Sequence, residues 1–522
     1  MNNLRVEGVL TDAQKEKIHR SAVSLLESLG FLCNHPQILE SFHQAGCTLG
    51  DEMSKPKSAR VVKFSEEIIA DALDKAPSEF TLYPYVPGCK PLKWGSEGMH
   101  IGISGGMMTW DLQTGKYRDA ELRDFPPACR VIDACENFDA ILGYPFYHAN
   151  DLATKEEIHE ITYMSTFMEA TTMLHTGKPH IRIYLTSTKD ELDDALKLYQ
   201  IAAGGREAFR KKPNGAIMAS PTSPLSLIGC EEGEALDWAD WVWAAIQEGV
   251  PLPVAPCGIM GATAPVSVSG TIVQNVAEFL ALIVAIETAN PGHPIAFGDF
   301  SGSMDMLTGE KATHRPESLL VHLGSSEMAR YYNKPSLWEL GSAESPLADA
   351  QVAWERTQSY LTAFLSGKVD VVMSGGGMGF LRSFDMREVV IENEIISRIK
   401  HMVKGINFDE ESIPLDQMIE AGFGATGASF LKTVHTKKYY KSEQWKRSSL
   451  TSALNADKWI DKGQKSLLDR SAERVQEILE KHEPDIPEGY QKEIRAFLQD
   501  VLDREKVDKD EARKIMDKTY YQ

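Results

Sequence analysis

The fold is decided by the stretch 293–355, which reads PIAFGDFSGSMDMLTG from Pro294 and KPSLWELGSAESPLADAQVAWE from Lys334 to Glu355. Two short apolar runs, 294–297 and 335–340, each follow a helix-like segment and lead into a loop rich in Gly, Ser, Asp and Glu. This order is typical of buried parallel strands whose carboxyl ends meet at one rim. We therefore predict that the functional residues lie on that rim.

The same strand–loop–helix rhythm repeats on both sides of this stretch, from about residue 123 to residue 445. Strands that alternate with helical segments indicate a parallel sheet covered by helices. Eight candidate strands predict an α/β fold, a (β/α)8 TIM barrel, with an open doubly wound sheet as the alternative. No GxGxxG follows a first strand, so the usual dinucleotide fingerprint is missing. The candidate strands are 140–146, 180–184, 215–219, 252–257, 294–297, 336–340, 369–373 and 429–434.

Two further regions flank the predicted barrel. Residues 1–122 combine amphipathic helices with β-like pieces, and the turn Gln113–Thr114–Gly115 indicates a hairpin, so we predict an N-terminal α+β layer. Residues 446–522 are charged and helical in pattern, which predicts a C-terminal helical extension. The catalytic barrel is then 123–445.

Composition excludes several classes of protein. The chain has 522 residues and a formal net charge of −20, which argues against nucleic acid as a partner. Its seven cysteines are scattered with no CxxC, which favours a reducing cytoplasm over a disulfide scaffold. The N-terminus lacks a signal-peptide core and no run of about 18 apolar residues occurs, so we expect no membrane span. No Cys/His pair has metal-ligand spacing, so we expect no tightly bound metal.

Aromatic residues end several of the predicted strands. Phe146 and Tyr147 follow the first, Phe300 the fifth, and Trp338 the sixth. Aromatic faces on one rim can hold a quaternary ammonium by cation–π attraction, worth about 0.5–2 kcal/mol per contact. We expect roughly half of these rings to be ordinary core instead. Trp338 and Glu339 point to opposite sides of a regular strand, and we predict that Trp338 is the inward one.

Polar residues on the same rim are candidates for binding and catalysis. Glu339 and His435 are the catalytic candidates, His435 because it ends the predicted eighth strand, although a structural histidine is the common alternative. Carboxylates would give the pocket a negative potential, and basic groups could hold a substrate carboxylate. The carboxylates are Asp299, Glu339 and Glu344, and the basic candidates are His148, Arg382 and His435.

Two glycine-rich loops follow predicted strands. GATAP begins at Gly261, and SGGGMGF contains Gly375, Gly376 and Gly377. Glycine lets a large planar cofactor or a partner approach the backbone closely. Tight packing between barrel loops is the alternative interpretation of both. We predict that these loops are the close-approach surfaces.

Several long blocks, in order, resemble the trimethylamine methyltransferase superfamily of corrinoid-dependent enzymes. The resemblance extends from about residue 9 to about residue 480. It is carried by SLLESLGFLCNHP, EEIIADALDKAPSEFTLY, WDLQTGKYRDA, GIMGATAPVSVSGTIVQNVAE, ARYYNKPSLWELGSAESPLADAQVAWE and HTKKYYKSEQW.

The resemblance implies a barrel enzyme that moves a methyl group from an amine to the Co(I) of a separate small corrinoid protein. The trimethylamine enzymes carry pyrrolysine, whereas this chain has only standard residues, so it is similar to the branch that demethylates quaternary amines such as glycine betaine. The implied partners are a corrinoid protein, which brings the cobalamin, and a small amine. We also expect a homo-oligomer.

Two alternatives stay open. One is a pyrrolysine-independent tertiary-amine demethylase, which needs a proton donor such as His435 or His148. The other is a non-catalytic betaine-binding protein on the same barrel.

Overall fold

A closed barrel of eight parallel strands forms the centre of the computed structural model, which describes residues 8–86, 88–96, 98–152, 163–182, 188–229 and 238–521. Every neighbouring pair in the sheet is parallel. In chain order the barrel strands are His100–Ile103, Ala140–Ile141, His180–Arg182, Gly215–Ile217, Leu252–Val254, Ile295–Asp299, Ser336–Glu339 and Val371–Gly375.

The fourth and fifth strands close the barrel. The Ile217 N–H donates to the Pro251 carbonyl at 3.0 Å, and the Ala219 N–H donates to the Pro253 carbonyl at 2.8 Å. Because these bonds join the two edges of the sheet, the (β/α)8 barrel is confirmed and the open sheet is excluded.

One predicted barrel strand is wrong, and one β-like piece that was predicted to lie in the N-terminal layer belongs to the barrel. The segment 429–434 is exposed and irregular, and Val434 begins a helix that the Thr433 hydroxyl caps by accepting from the Thr436 N–H. The first barrel strand is instead His100–Ile103, which lies between the second and eighth strands. The predicted barrel start at residue 123 thus falls after the first strand, and the predicted end at 445 falls beyond the helix of the last unit, Met386–Met402.

Helices surround the strands as the alternating pattern predicts. The principal helices of the eight units are Phe125–Ala134, Met164–His175, Lys189–Ala203, Trp238–Glu248, Val268–Ala289, Pro316–Tyr331, Ala350–Ser366 and Met386–Met402. Short strands are added between strand and helix at the carboxyl ends: Met108–Asp111, Lys116–Asp119, Ile259–Met260, Gly302–Met304, Lys311–Ala312, Gly377–Met378 and Ser383–Phe384.

Small and medium side chains fill the barrel interior. They come from alternate positions of the strands and form one apolar cluster, which includes Ala140, Ala216, Ala255, Ala296, Leu337 and Val371. The antiparallel hairpin Phe80–Leu82 and Leu92–Trp94 joins this cluster and closes the amino-terminal end of the barrel. The opposite, carboxyl-terminal end is therefore the open mouth.

The N-terminal layer packs on the outside of the barrel. It contains the helices Asp12–Ser28, Pro36–Gln44 and Glu66–Lys75 and the strands Phe31–Cys33, Thr48–Leu49 and Arg60–Lys63, to which Ser226–Leu227 adds. All three helices cover Val268–Ala289. That helix is long and apolar enough to cross a membrane, but 83% of its most apolar window is buried inside this protein, as in a core helix.

The C-terminal helices pack against the barrel helices. Leu467–Lys481 lies on Met386–Met402 and Phe125–Ala134, while Glu488–Arg504 lies on Met164–His175. The Arg504 guanidinium donates to both carboxylate oxygens of Asp194 at 2.8 Å. The remaining helices in this part are Leu415–Ala421, Val434–Glu443, Ala456–Asp461 and Lys509–Lys518.

Candidate active site at the barrel mouth

Glu339 is a fully buried carboxyl group at the carboxyl end of the seventh strand. Its Oε1 accepts from the Gly341 N–H at 2.8 Å, whereas Oε2 has no hydrogen-bond partner among the described residues. Burial raises the pKa of Glu339 to about 8, although the Gly341 hydrogen bond and the charges of Lys311 and Arg356 oppose the shift. A buried carboxyl with an unused oxygen at this end of a barrel is a strong functional candidate.

Tyr147 lies close enough to Glu339 for the two groups to affect each other's ionisation. Burial raises the pKa of Tyr147, and the Glu339 charge raises it further. The phenol oxygen is 2.9 Å from the Ser104 hydroxyl, and the Gly105 N–H donates to it at 2.9 Å. Ser104 and Gly105 directly follow the first barrel strand, so these two bonds fix the ring between the first and seventh strands.

Lys311 brings a positive charge to the same mouth. It sits on a short hairpin after the sixth strand, in which Met304 pairs with Lys311. Its Nζ lies 3.2 Å from the centroid of the Phe300 ring and 3.3 Å from the Cys257 sulfur. The described residues place no carboxylate in ion-pair contact with Lys311, so its nearest partners are an aromatic face and a thiol.

Arg356, on the helix Ala350–Ser366, holds the turn SGGG at residues 374–377. Its guanidinium donates to the Ser374 hydroxyl and the Gly377 carbonyl, and its Nε lies 3.2 Å from Glu392. Glu392 in turn accepts from the Gly376 N–H at 2.9 Å. This fully buried pair fixes the loop that follows the eighth strand.

The predicted inward orientation of Trp338 is wrong. Its indole N–H donates to the Ser326 hydroxyl, and its ring lies 5.6 Å from the His322 ring; both residues belong to the helix Pro316–Tyr331. Leu337 and Glu339 point into the barrel instead. Small and medium apolar side chains fill the barrel interior, whereas the helix layer offers the indole N–H a hydrogen-bond acceptor in the Ser326 hydroxyl.

Trp338→Phe should therefore change stability and leave substrate kinetics unchanged. We expect a loss of about 1–2 kcal/mol, because the ring becomes smaller and the Ser326 bond disappears. Denaturant unfolding measures the loss, and the Michaelis constant of the folded variant should stay within about twofold. Trp354→Phe, at a 62% exposed position, is the matched control and should change neither the free energy of unfolding nor the Michaelis constant. A higher Michaelis constant with an unchanged free energy of unfolding would mean that Trp338 lines the substrate pocket.

Two more predicted pocket residues lie in the protein core. Phe146 is buried and contacts Phe125 and Phe384 edge-on, at 5.3 and 5.2 Å between ring centroids. Asp299 points into the helix layer, where it accepts from Asn275 at 3.2 Å and from the Ser301 N–H at 2.8 Å. Asp299 occupies the outward phase of its strand, and Phe146 lies beyond the end of the strand Ala140–Ile141, packed between two other rings.

The predicted basic groups do not meet Glu339. His435 lies on Val434–Glu443, outside the barrel, stacked on Tyr439 at 4.6 Å, so its predicted place at a strand end is wrong. His148 is partly buried beside Asp119 and Asp151, and desolvation lowers its pKa. Arg382 is exposed, and its guanidinium lies 3.9 Å from the Met107 sulfur.

Glu344 is near the seventh strand, but its charge is already paired. The Arg315 guanidinium lies 3.0 Å from its carboxylate. Arg315 also pairs with Asp305, which joins the hairpin of Lys311 to the loop after the seventh strand. Of the predicted pocket residues, the structure therefore brings Glu339, Tyr147 and Phe300 together, and Lys311, Ser104 and Cys257 join them.

Packing within the chain explains the SGGG glycines. A Cβ on Gly375 would lie 2.5 Å from the Phe138 ring, and one on Gly377 would lie 2.7 Å from the Gly105 carbonyl. Gly376 has φ +79° and lies against Phe384. Gly261 differs, because it is an exposed turn residue with φ +88° whose nearest neighbour is the flexible end of Met306.

A cavity of about 910 Å³ opens at the opposite end of the barrel. Its lining includes Trp94 of the closing hairpin and residues that precede the fourth, fifth and sixth strands, such as Pro213, Gly249 and Pro294. Active sites of this fold lie at the carboxyl ends of the strands, so this cavity is not the candidate site. Within the described ranges, no cluster of three or more His, Cys, Asp or Glu side chains could hold a metal ion.

Glu339 should make stability fall as the pH rises. Its folded pKa of about 8 lies above the ordinary value of 4.5, so between these values the folded state holds a proton that the unfolded state has lost. One such proton lowers the free energy of unfolding by about 1.4 kcal/mol per pH unit. In urea unfolding at pH 5, 6 and 7, the free energy of unfolding of the Glu339→Gln variant should rise relative to that of the native protein at each step. Parallel stability curves would contradict the shifted pKa.

The structure is a (β/α)8 barrel with a candidate active site at its mouth. The family model for trimethylamine methyltransferase (MTTB) matches residues 1–505. The chain therefore belongs to the trimethylamine methyltransferase family, and it is an enzyme of the methyltransferase class.

Its relatives include two different named activities. The chain is 25% identical over 504 residues to trimethylamine methyltransferase MttB of Desulfitobacterium hafniense (strain DSM 10664 / DCB-2), covering 96% of each chain. It is 26% identical over 493 residues to glycine betaine methyltransferase of Desulfitobacterium hafniense (strain Y51), covering 94% of this chain and 95% of the relative. Trimethylamine methyltransferase MttB of Methanosarcina thermophila is 26% identical over 492 residues, with 91% and 93% coverage.

Solved structures add little to this assignment. Dihydropteroate synthase from Thermus thermophilus aligns with 62% of this chain and all of its own, at a TM-score of 0.34 and 14% identity. Structural similarity at that level does not bear on the assignment of the fold, which rests on the strand order of the barrel itself.

Proposed function

We propose that this enzyme transfers a methyl group from a carboxylate-bearing quaternary amine, a betaine, to the cobalt of a corrinoid carried by a separate protein. Two facts support the choice of substrate class. The chain contains only standard residues, unlike the pyrrolysine-bearing enzymes that it resembles. One of its relatives is named for glycine betaine.

The observation that carries the proposal is the presence of one buried carboxyl group and one ammonium group together at the mouth. Glu339 offers a carboxyl oxygen with no partner in the described chain, and Lys311 offers an ammonium group in ion-pair contact with no described carboxylate. Lys311 is near enough to lower the pKa of Glu339. A betaine is a zwitterion, so its ammonium group fits Glu339 with the rings of Phe300 and Tyr147, and its carboxylate fits Lys311.

These residues then hold the substrate in position for methyl transfer. A bound cation favours the ionised form of Glu339, so the carboxyl gives up its proton when the amine binds. The C–N bond breaks, its electron pair stays on nitrogen, and a neutral tertiary amine leaves without a proton donor. The methyl acceptor is Co(I) of the corrinoid, whose electron pair forms the new bond to carbon. Catalysis by the protein is mainly the alignment of one N–methyl bond.

The corrinoid protein must dock over the mouth to bring cobalt near the methyl group. Two turns reach out there and touch each other, one at Gly261 and one at Met306. Apolar side chains at their tips are unusually exposed, with Leu307 97% and Val266 69% accessible. We assign this pair of turns as the docking surface, so Gly261 keeps its predicted role in a close-approach surface.

A tertiary-amine demethylase is the second candidate, and one observation favours it. With a pKa of about 8, Glu339 is largely protonated at neutral pH and could donate a proton to the leaving amine. Trimethylamine has no carboxylate, however, and would leave Lys311 without a role. A non-catalytic betaine-binding protein fits the family less well, because the named relatives are enzymes.

Replacing Lys311 should separate these functions. For Lys311→Met we expect the Michaelis constant for glycine betaine to rise about 10- to 100-fold, because a charge-assisted contact worth about 1.5–3 kcal/mol is lost. For tetramethylammonium, which has no carboxylate, the Michaelis constant of this variant should stay the same or fall. The assay follows the methylation of Co(I) cobalamin by absorbance. Lys93→Met, at an exposed position on the opposite end of the barrel, is the matched control. Equal losses for both amines would refute a carboxylate-binding role.

A further inference from the structure

Residues 404–449, here called the arm, have almost no core of their own. The structure describes every residue of the arm, and none of them is buried. Large apolar side chains are exposed along it: Ile406, Phe408, Ile413, Leu415, Met418, Ile419, Phe423, Phe430, Leu431, Val434 and Tyr440. A concentration of exposed apolar side chains of this kind is typical of an interaction site.

The arm is anchored at the end of the barrel that lies away from the mouth. It leaves the helix Met386–Met402 at its C-terminus and returns to the same half of that helix. On return, the Trp445 N–H donates to the Ser397 hydroxyl at 3.1 Å, and the Arg398 guanidinium covers the Trp445 ring at 4.8 Å. Lys400, in the same helix turn, is near Asp139, which precedes the second barrel strand. A protein docked at the mouth therefore does not account for the arm.

Charge along the arm is divided into two halves of opposite sign. The part 409–420 contains five carboxylates and no Lys or Arg, whereas the part 432–447 contains six Lys or Arg and one Glu. In a twofold interface each residue that contacts a partner residue is contacted in return, so an acidic half and a basic half complement a second copy of themselves. A chain with a net charge of −20 needs such local pairing to associate with itself.

We propose that the arm is the interface through which two copies of this chain form a twofold dimer. The acidic half of one arm faces the basic half of the other, and the apolar side chains between them are buried on association. A groove of about 360 Å³ beside the arm, lined by Leu361, Ile395, Ile399 and Met402, receives apolar side chains of the second copy. His435 and Tyr439, stacked on the arm, belong to this interface.

Charge reversal tests the proposal with full-length protein. One variant combines Asp416→Lys with Glu420→Lys, and the other combines Lys432→Glu with Lys441→Glu. All four positions are exposed, and they avoid the Lys438–Glu411 pair within the arm. Analytical ultracentrifugation at micromolar concentration should show a dimer for the native chain, a monomer for each variant alone, and a dimer for the equimolar mixture, in which both halves are again complementary.

Three results would overturn the proposal. They are a monomeric native chain, a dimer that survives in either variant alone, and a mixture that stays monomeric. Leu431→Ser, at an 85% exposed position, removes an apolar side chain from the proposed interface without altering charge. It should raise the dissociation constant of the dimer at least tenfold. Glu493→Lys with Asp500→Lys, on the exposed side of the helix Glu488–Arg504, is the matched charge control and should stay dimeric. Far-ultraviolet circular dichroism checks that each variant is folded.

Discussion

Glu339→Gln should lower kcat/KM for methyl transfer from glycine betaine by about 100- to 1000-fold. The substitution keeps the shape of the side chain and removes the negative charge that the bound ammonium group needs. Leaving a buried charge without its partner costs about 3–5 kcal/mol, and each 1.4 kcal/mol is a factor of ten. The initial rate of Co(I) cobalamin methylation measures the loss. Most of it should appear in the Michaelis constant, because the missing charge acts on the bound cation.

Glu278→Gln is the matched control for this substitution. Glu278 is also fully buried, and burial raises its pKa to about 7. It lies on the helix Val268–Ala289, however, and accepts from the Leu225 N–H at 2.9 Å and the Ser223 hydroxyl at 2.8 Å. We expect its replacement to change stability and to leave kcat/KM within about threefold. Similar kinetic losses in both variants would mean that Glu339 acts through folding.

Arg356→Leu should destabilise the protein by about 3–5 kcal/mol. The substitution leaves Glu392 as a buried charge without its partner and frees the turn at Gly376 and Gly377. Urea unfolding measures the loss. Activity should fall as well, because the charge of Arg356 helps to lower the pKa of Glu339.

Arg382→Leu is the corresponding control. Arg382 follows the same glycine loop but is exposed and has no ion-pair partner in the described chain. Its replacement should change the free energy of unfolding by less than about 0.5 kcal/mol. A stable Arg356→Leu protein would show that the buried pair is dispensable for the loop.

The barrel could be predicted from sequence because its strands and helices alternate with clear periods. Seven of the eight strand positions were found this way. The first lies in the β-like piece MHIGISGG, which was assigned to the N-terminal layer because it precedes the repeated strand–loop–helix pattern that begins at about residue 123. FLKTV at 430–434 has a stronger strand composition, yet it is mostly exposed and pairs with no strand among the described residues, and Val434 begins a helix.

The sequence placed Glu339, Tyr147 and Phe300 at the barrel mouth, but it did not give the orientation of Trp338. Alternation shows that Trp338 and Glu339 face opposite sides, but it does not say which side is the barrel interior. That choice depends on the side chains that other strands and helices contribute to each side, which a single strand does not reveal. Lys311 was missed for a related reason: a hairpin folds it back across the mouth, and only its register with Gly302–Met304 places its ammonium group on Phe300.

Methyl transfer from three amines to Co(I) cobalamin tests the proposed function most directly. The native enzyme should methylate cobalamin with glycine betaine and release dimethylglycine, detected by absorbance and by nuclear magnetic resonance of the amine. Tetramethylammonium should react with a Michaelis constant at least about tenfold higher, since it lacks the carboxylate for Lys311, and trimethylamine should react more slowly still. Preference for trimethylamine, or no methylation with any quaternary amine, would contradict the assignment.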